Sequence, residues 1–414
     1  MRTYGLALIF IACIGHAAEP TPVAPVTVRA ELSPLLAAAQ EALKAKDPQT
    51  ALDKLNATSA LGPLNAQEKI ILHRVRVVAA LDAAKPVLAI ESLDALIAAP
   101  EVAAAEKPGL IEVLIAQAQK QKDHQRVVEA SKQYSALASP KRGVVLAQAQ
   151  AHYFLKQFEP AIEGFNRLIP QLGATADSKA PLQTPPEEAL LRMLADSHNQ
   201  RKNRAGYLEG LTLLLTYYPS QAYWSDYLAR QMALLEPNSP YTLDWYRLMR
   251  ATQTLEDFDD YKEYAQFALK QGLPQEALTV FGQGIKSGVV GQGNHKAAGE
   301  ALQQQIASRA AQDAGSLVLL EQQVAVQGLG NDSAQLGDLY LSAGDWQQAY
   351  TAYQKALNLG SLRREALTRL HLGIALAQLR QKEGAQAALA WPGFDPAGQA
   401  LANAWRLWTF KPVP

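Results

Sequence analysis

From Glu31 to Phe410, apolar side chains recur at the three- and four-residue spacing that lines one face of an α-helix. Alanine-rich stretches and the scarcity of β-branched alternation favour helix over strand throughout. The pattern pauses between Ala176 and Pro186, where Pro181, Pro185 and Pro186 sit among Asp177, Ser178 and Lys179. That composition predicts a loop or hinge. Pro185-Pro186-Glu187-Glu188 then reads as a helix start, with proline and acids in the first turn. The chain thus divides into a helical array over 31–175, a hinge over 176–186 and a second array over 187–410. A last helix near Pro396–Phe410, carrying Trp405 and Trp408, is expected to cap the stack.

Within Gly330–Arg363, the residues Leu336, Gly337, Tyr340, Gly344, Ala349, Tyr353 and Ala356 stand at offsets that define a 34-residue helix–turn–helix unit. These are the offsets of a tetratricopeptide repeat (TPR). Its helices A and B pack antiparallel at close range. Positions 8 and 20 are therefore small, position 24 is large, and proline near position 32 ends helix B. Weaker copies start near residues 32 (Ala39, Ala51, Leu55, Pro63), 70 (Ala89, Leu93), 109 (Ala116, Val128, Pro140) and 142 (Ala149, Ala161, Phe165). Others start near 188 (Ala195, Leu211, Pro219), 258 (Ala265, Gly272, Ala277, Phe281) and 366 (Gly373, Ala385, Leu389). Segments 222–257 and 292–328 are helical in pattern but depart from the template. The expected fold is all-α, a right-handed superhelical solenoid of TPR-like helix–turn–helix repeats.

The N-terminus changes the picture of location. Arg2 precedes an apolar run from Tyr4 to Gly15, about a dozen residues and too short to span a bilayer comfortably. Gly15-His16-Ala17 places small residues at a cleavage site, so 1–17 reads as a signal peptide and 18–30 as a Pro-rich spacer. An uncleaved N-terminal anchor is the alternative. The single cysteine, Cys13, falls in this segment. The mature chain would lack thiol chemistry, which suits a bacterial periplasm. No later apolar run approaches membrane-spanning length.

Charge and motifs narrow the function classes. Lys+Arg and Asp+Glu are both 39, so the net charge is zero, and no basic run favours nucleic acid. His73, His124, His152, His198, His295 and His371 include no pair at metal-ligand spacing. The glycines Gly282, Gly284, Gly288, Gly291 and Gly293 match no nucleotide fingerprint and read as a helix end and loop. Glu256, Asp257, Asp259 and Asp260 read as the acidic start of a helix. The expectation is no enzyme, no cofactor and no metal. A cell-wall-cleaving enzyme on an α-superhelix would need a lysozyme-like module where the C-terminal repeat residues stand.

What remains is binding. Thirteen aromatics between Tyr207 and Phe267 either fill a core or form a partner surface. A TPR groove is lined by helix A positions 2, 5, 9 and 12. Those include Arg192, Asp196 and Asn199 in one unit and Asn331 and Asp338 in another. With Trp224 and Tyr227 from the aromatic stretch, they are the candidate partner-binding residues. The Lys/Asn carboxylate clamp of chaperone-binding repeats is absent.

Residues 210–410 carry a more specific likeness. Tyr218-Pro219, Tyr223-Trp224, Ala268-Leu269-Lys270-Gln271-Gly272-Leu273, Pro274-Gln275-Glu276-Ala277, Leu336-Gly337-Asp338-Leu339-Tyr340, Leu370-His371-Leu372-Gly373-Ile374-Ala375-Leu376 and Trp405 resemble periplasmic TPR proteins found with TonB–ExbB–ExbD systems. Arg380 departs from the pattern, standing where the final unit's turn glycine belongs. The resemblance implies a periplasmic scaffold that binds other proteins, TonB, ExbB or ExbD components among them. It would serve a proton-motive-force-driven complex that powers outer-membrane uptake. A periplasmic factor in envelope assembly or polysaccharide export is the alternative.

Overall fold

The computed structural model describes residues 28–169 and 185–410. The predicted signal segment, Cys13, most of the spacer and the hinge up to Thr184 lie outside the described residues. The chain forms two compact units that meet between Arg204 and Ala205. No strand occurs among the described residues, and no helix there is long and apolar enough to cross a membrane.

In the first unit, α1 (Ser33–Lys44) pairs with α2 (Pro48–Asn56), and α3 (Ala66–Asp82) with α4 (Pro86–Ala98). Next, α5 (Lys107–Lys120) pairs with α6 (His124–Leu137) and α7 (Arg142–Phe154) with α8 (Phe158–Leu168), before α9 (Glu188–Gln200). Each second helix also packs on the first helix of the following pair, which makes a continuous stack. In the second unit, α10 (Arg204–Tyr217), α11 (Gln221–Met232) and α12 (Thr242–Ala251) precede the pair α13 (Phe258–Lys270) and α14 (Pro274–Lys286). Then come α15 (Lys296–Gln312), α16 (Ser316–Gln327), the pair α17 (Gly330–Ala343) and α18 (Trp346–Leu359), and the pair α19 (Glu365–Gln378) and α20 (Lys382–Leu389). Helix α21 (Pro396–Phe410) packs on both α19 and α20, burying Trp405 and Trp408 at the predicted end of the array.

The small-residue template holds in the pairs. Ala51, Ala89, Val127, Ala161, Ala277, Ala349 and Ala385 occupy the same place on the second helix, and each has 0% exposure. A Cβ added at Gly337 would lie 2.5 Å from the Tyr353 ring, and one at Gly373 2.5 Å from Leu389. The pair at 107–137 corrects the expected register by one residue. Ala116 is exposed, while Ile115, Val127 and Ser131 fill positions 8, 20 and 24. Val127, not Val128, therefore replaces the usual alanine.

The turn that closes the first helix of each repeat is as regular as the packing. Lys46, Ala84, Lys122, Lys156, Lys202, Gly272, Gly344 and Arg380 all sit at position 15, and all have positive φ, between 52° and 81°. The next residue's N–H donates to the carbonyl five residues back, at 2.8 to 3.0 Å in every case, closing the first helix. Only two of the eight are glycine, so six left-handed turns are held against the preference of their side chains. At Arg380 the guanidinium lies over the Trp408 ring at 4.9 Å, tying this turn to α21.

Segment 222–257, expected to depart from the template, does so because of α12. Tyr241 to Met249 are all buried, so this helix is covered around its whole circumference. It contacts α11, α13 and α21. Tyr241 lies so close to Gly398 of α21 that a Cβ there would meet its hydroxyl at 2.7 Å.

Two substitutions test this packing. Gly337→Ala is expected to destabilise by about 1–3 kcal/mol despite alanine's better helix propensity, because the Tyr353 ring has no room to move. Ala84→Gly is expected to stabilise by about 0.5–1 kcal/mol, through relief of the left-handed turn less glycine's added chain entropy. Thermal or denaturant unfolding of both variants beside the parent chain reads the two signs.

Candidate functional site

The sequence-selected residues fall into two classes. Arg192 and Asn199 are exposed on α9, with Asp196 between them accepting the Tyr153 hydroxyl at 2.8 Å. Asn331 is exposed at the start of α17. It bridges to the next loop, donating to the Ser361 carbonyl at 3.3 Å and accepting the Arg363 N–H at 3.0 Å. Trp224 and Tyr227, by contrast, are 1% and 4% exposed and meet edge to face at 5.8 Å within the core. Of the thirteen aromatics in that stretch, the eight from Trp224 to Tyr264 are buried. Core filling is thus their role, and the partly exposed members are Tyr207, Tyr217, Tyr218, Tyr223 and Phe267.

Asp338 leads to a feature that no motif announced. It is about one-third exposed and accepts the Tyr353 hydroxyl at 2.7 Å and His371 Nδ1 at 2.7 Å. The other ring nitrogen of His371 faces Asp244 Oδ2 at 3.2 Å, although 127 residues separate the two. On α12, one turn beyond Asp244, Arg247 donates to Asp244 Oδ1 at 2.7 Å. It also donates to both oxygens of Glu276, at 2.8 and 2.6 Å. Tyr264 completes the set by donating to Glu276 at 2.8 Å. Asp244, Arg247, Glu276 and His371 are all buried, so α12, α13, α14, α17, α18 and α19 share one ionic core.

Charges so deep are tolerated only when every one is paired, since each carries a desolvation cost of several kcal/mol. Burial alone would push the His371 imidazolium down, but Asp244 and Asp338 outweigh it and raise its pKa to about 9. Burial works against the Asp244 carboxylate too, yet His371 and Arg247 hold its pKa below the ordinary value. Burial and the neighbouring Glu276 push the Tyr264 hydroxyl far up, so it remains a donor. His371 is accordingly a doubly protonated cation clamped between two carboxylates at neutral pH.

The first unit has a smaller counterpart. Arg29 grips Glu68 through Nε and Nη2 at 2.8 and 2.7 Å, and also donates to the carbonyls of Leu61 and Pro63. Glu68 itself closes a capping box with Asn65 at the start of α3. Hydrogen bonding to Arg29, opposed by burial, brings its pKa down to about 2. At the start of α13, Asp257 and Asp260 form a second capping box, the helix-start role read for those acids. No cluster of His, Cys, Asp and Glu able to hold a metal occurs among the described residues.

No protein-family model and no curated protein matches the chain. Among solved structures, a tetratricopeptide repeat protein from Parabacteroides merdae ATCC 43184 aligns at 13% identity, covering 82% of this chain and 98% of that one, with a TM-score of 0.31. The Cut9–Hcn1 hetero-tetramer of APC/C aligns at 16% identity, covering 91% and 88%, with a TM-score of 0.25. The P58(IPK) TPR domain aligns at 12% identity, covering 86% and 99%, with a TM-score of 0.22. Overlap this slight carries no argument. The TPR-like architecture rests on the helix pairs and turns themselves.

The clamp on His371 predicts a pH dependence. Its pKa is about 9 when folded against an ordinary 6.5. The resulting stability is therefore fully present below pH 6.5 and is lost as pH rises through 9. The gap in unfolding free energy between the parent chain and His371→Gln is expected to be widest near pH 6 and to narrow steadily toward pH 10. A gap that does not vary with pH would place the neutral imidazole, not the cation, between Asp244 and Asp338.

Proposed function

We propose that this protein is an exported scaffold that holds partner proteins on the helix A faces of its TPR-like hairpins. It acts in the periplasm as an accessory of a TonB-type energy-transduction complex. The observation that carries the scaffold reading is the recurrence of one hairpin geometry, fixed by buried small residues and identical left-handed turns. Such a framework presents side chains at fixed spacing, so many weak contacts add without further ordering of the backbone. Arg192, Asn199 and Asn331 are exposed, and Asp196 and Asp338 partly so, on first helices of these units. We assign partner contact to them. Trp224 and Tyr227 support the scaffold from within.

Export is supported by Arg2, the apolar run Tyr4–Gly15 and the small residues at Ala17 and Ala18. The energy-transduction role is supported by the likeness over 210–410, including Leu336-Gly337-Asp338-Leu339-Tyr340 and the His371 segment. In the ionic core, Asp338 and His371 from that likeness meet each other and tie α17 to α19.

A photo-reactive amino acid placed at Arg192, Asn199 or Asn331 of the full-length protein tests the reading in its own host. Cross-links to TonB, ExbB or ExbD components are expected, from protein recovered in the periplasm with its first 17 or 18 residues removed. Cross-links confined to envelope-assembly or polysaccharide-export components would favour that role instead. Recovery from the cytoplasm with Met1–Ala17 intact would overturn the assignment.

A further inference from the structure

A cleft of about 200 Å³ opens beside the ionic core of the second unit, lined in part by Arg250, Gln378, Trp346, Leu341 and Ile374. Arg247, Tyr264 and Glu276 also reach it, but their polar atoms are engaged with one another. Arg250 differs from them. It lies three residues after Arg247 on α12 and is partly buried, yet its guanidinium has no ion pair or hydrogen bond among the described residues. Its charge reaches the Tyr264 hydroxyl, where it offsets part of that group's rise. The Gln378 amide likewise has no hydrogen-bond partner among the described residues. The rest of the lining includes the partly buried indole of Trp346, with Leu341 and Ile374 almost wholly covered at 3% and 1% exposure.

We propose that this cleft binds a carboxylate carried on a compact apolar body. The carboxylate pairs with Arg250 and takes a hydrogen bond from the Gln378 amide, while the apolar part rests chiefly on Trp346. Each alternative leaves something unmatched. A bare inorganic anion leaves the Trp346 indole wet, a neutral apolar ligand leaves Arg250 unpaired, and a cation meets Arg247 and Arg250. Size agrees, because an apolar cavity of roughly 150 Å³ accommodates benzene. Glu276 does not repel the ligand, since Arg247 and Tyr264 satisfy its oxygens. The same chemistry is offered by a free small acid and by the C-terminal residue of a protein ending in an apolar side chain. This inference uses none of the groove residues and stands apart from the scaffold reading.

Calorimetric titration of the full-length protein tests it, with 4-methylpentanoate against 4-methylpentanamide, and a heptapeptide ending in leucine with a free against an amidated C-terminus. The acid form of at least one pair is expected to bind about tenfold or more tighter than its amide, the scale of a charge-assisted hydrogen bond. Arg250→Gln is expected to remove that advantage with the thermal midpoint unchanged, because Arg250 has no ion pair to lose. Arg250→Lys is expected to retain part of it. Binding of the free peptide alone would assign chain ends as the source, and binding of 4-methylpentanoate would include free acids. Absence of binding by both acids, equal affinity for acid and amide, or an Arg250→Gln variant that binds like the parent would each overturn the proposal.

Discussion

The architecture depends on how closely two helix backbones approach within each pair. In most pairs, side chains of one methyl group or none stand at the crossing, and a large residue four positions further along the second helix fills the space beyond; the 107–137 pair departs, with Ile115, Val127 and Ser131 at these places. At Gly337 this is literal: the Tyr353 ring occupies the volume that a methyl group would need. Tyr353 in turn anchors its hydroxyl on Asp338. The small residue therefore governs not only a helix crossing but also the position of a polar group on the face of α17. The same logic repeats at Gly373 and Leu389 in the next pair.

Close approach demands a short, sharply defined connection, and the left-handed residue at position 15 supplies it. Most of these positions hold lysine, alanine or arginine rather than glycine. Strain of about 1 kcal/mol at each is sustained because the following N–H reaches back to close the first helix and the paired core holds both ends in place. Stability in such an array is distributed, each pair leaning on its neighbours, so a modest local cost is spread over the stack.

The second unit adds a different kind of constraint. Helix α12 is buried on all sides, yet it carries Asp244 and Arg247. A fully apolar helix could slide or rotate in such a site with little change in burial. A bidentate Arg247–Glu276 pair and a His371 clamped between two carboxylates permit one register only, since any shift leaves buried charge unpaired. The core is thus specified by polar geometry as well as by volume, and it leaves Arg250, on the same helix, facing a cleft without an ionic partner.

Local pattern determined the helices and most of the paired crossings, because a 34-residue period places the same side-chain sizes at the same contacts. It also held a usable but weaker signal at residues 107–137. There the Lys122-Asp123 turn marked the register, while the exposed Ala116 imitated a contact alanine. The burial of Trp224 and Tyr227 was not legible, since an aromatic serves a core and a surface equally well until its neighbours are known. Nor was the ionic core. Asp244, Arg247, Glu276, Asp338 and His371 lie up to 127 residues apart in the chain, and each alone resembles a solvated helix residue. Only the packing of α12 against helices distant in sequence removes water from these groups, and the loss of water is what turns scattered charges into a single interdependent set.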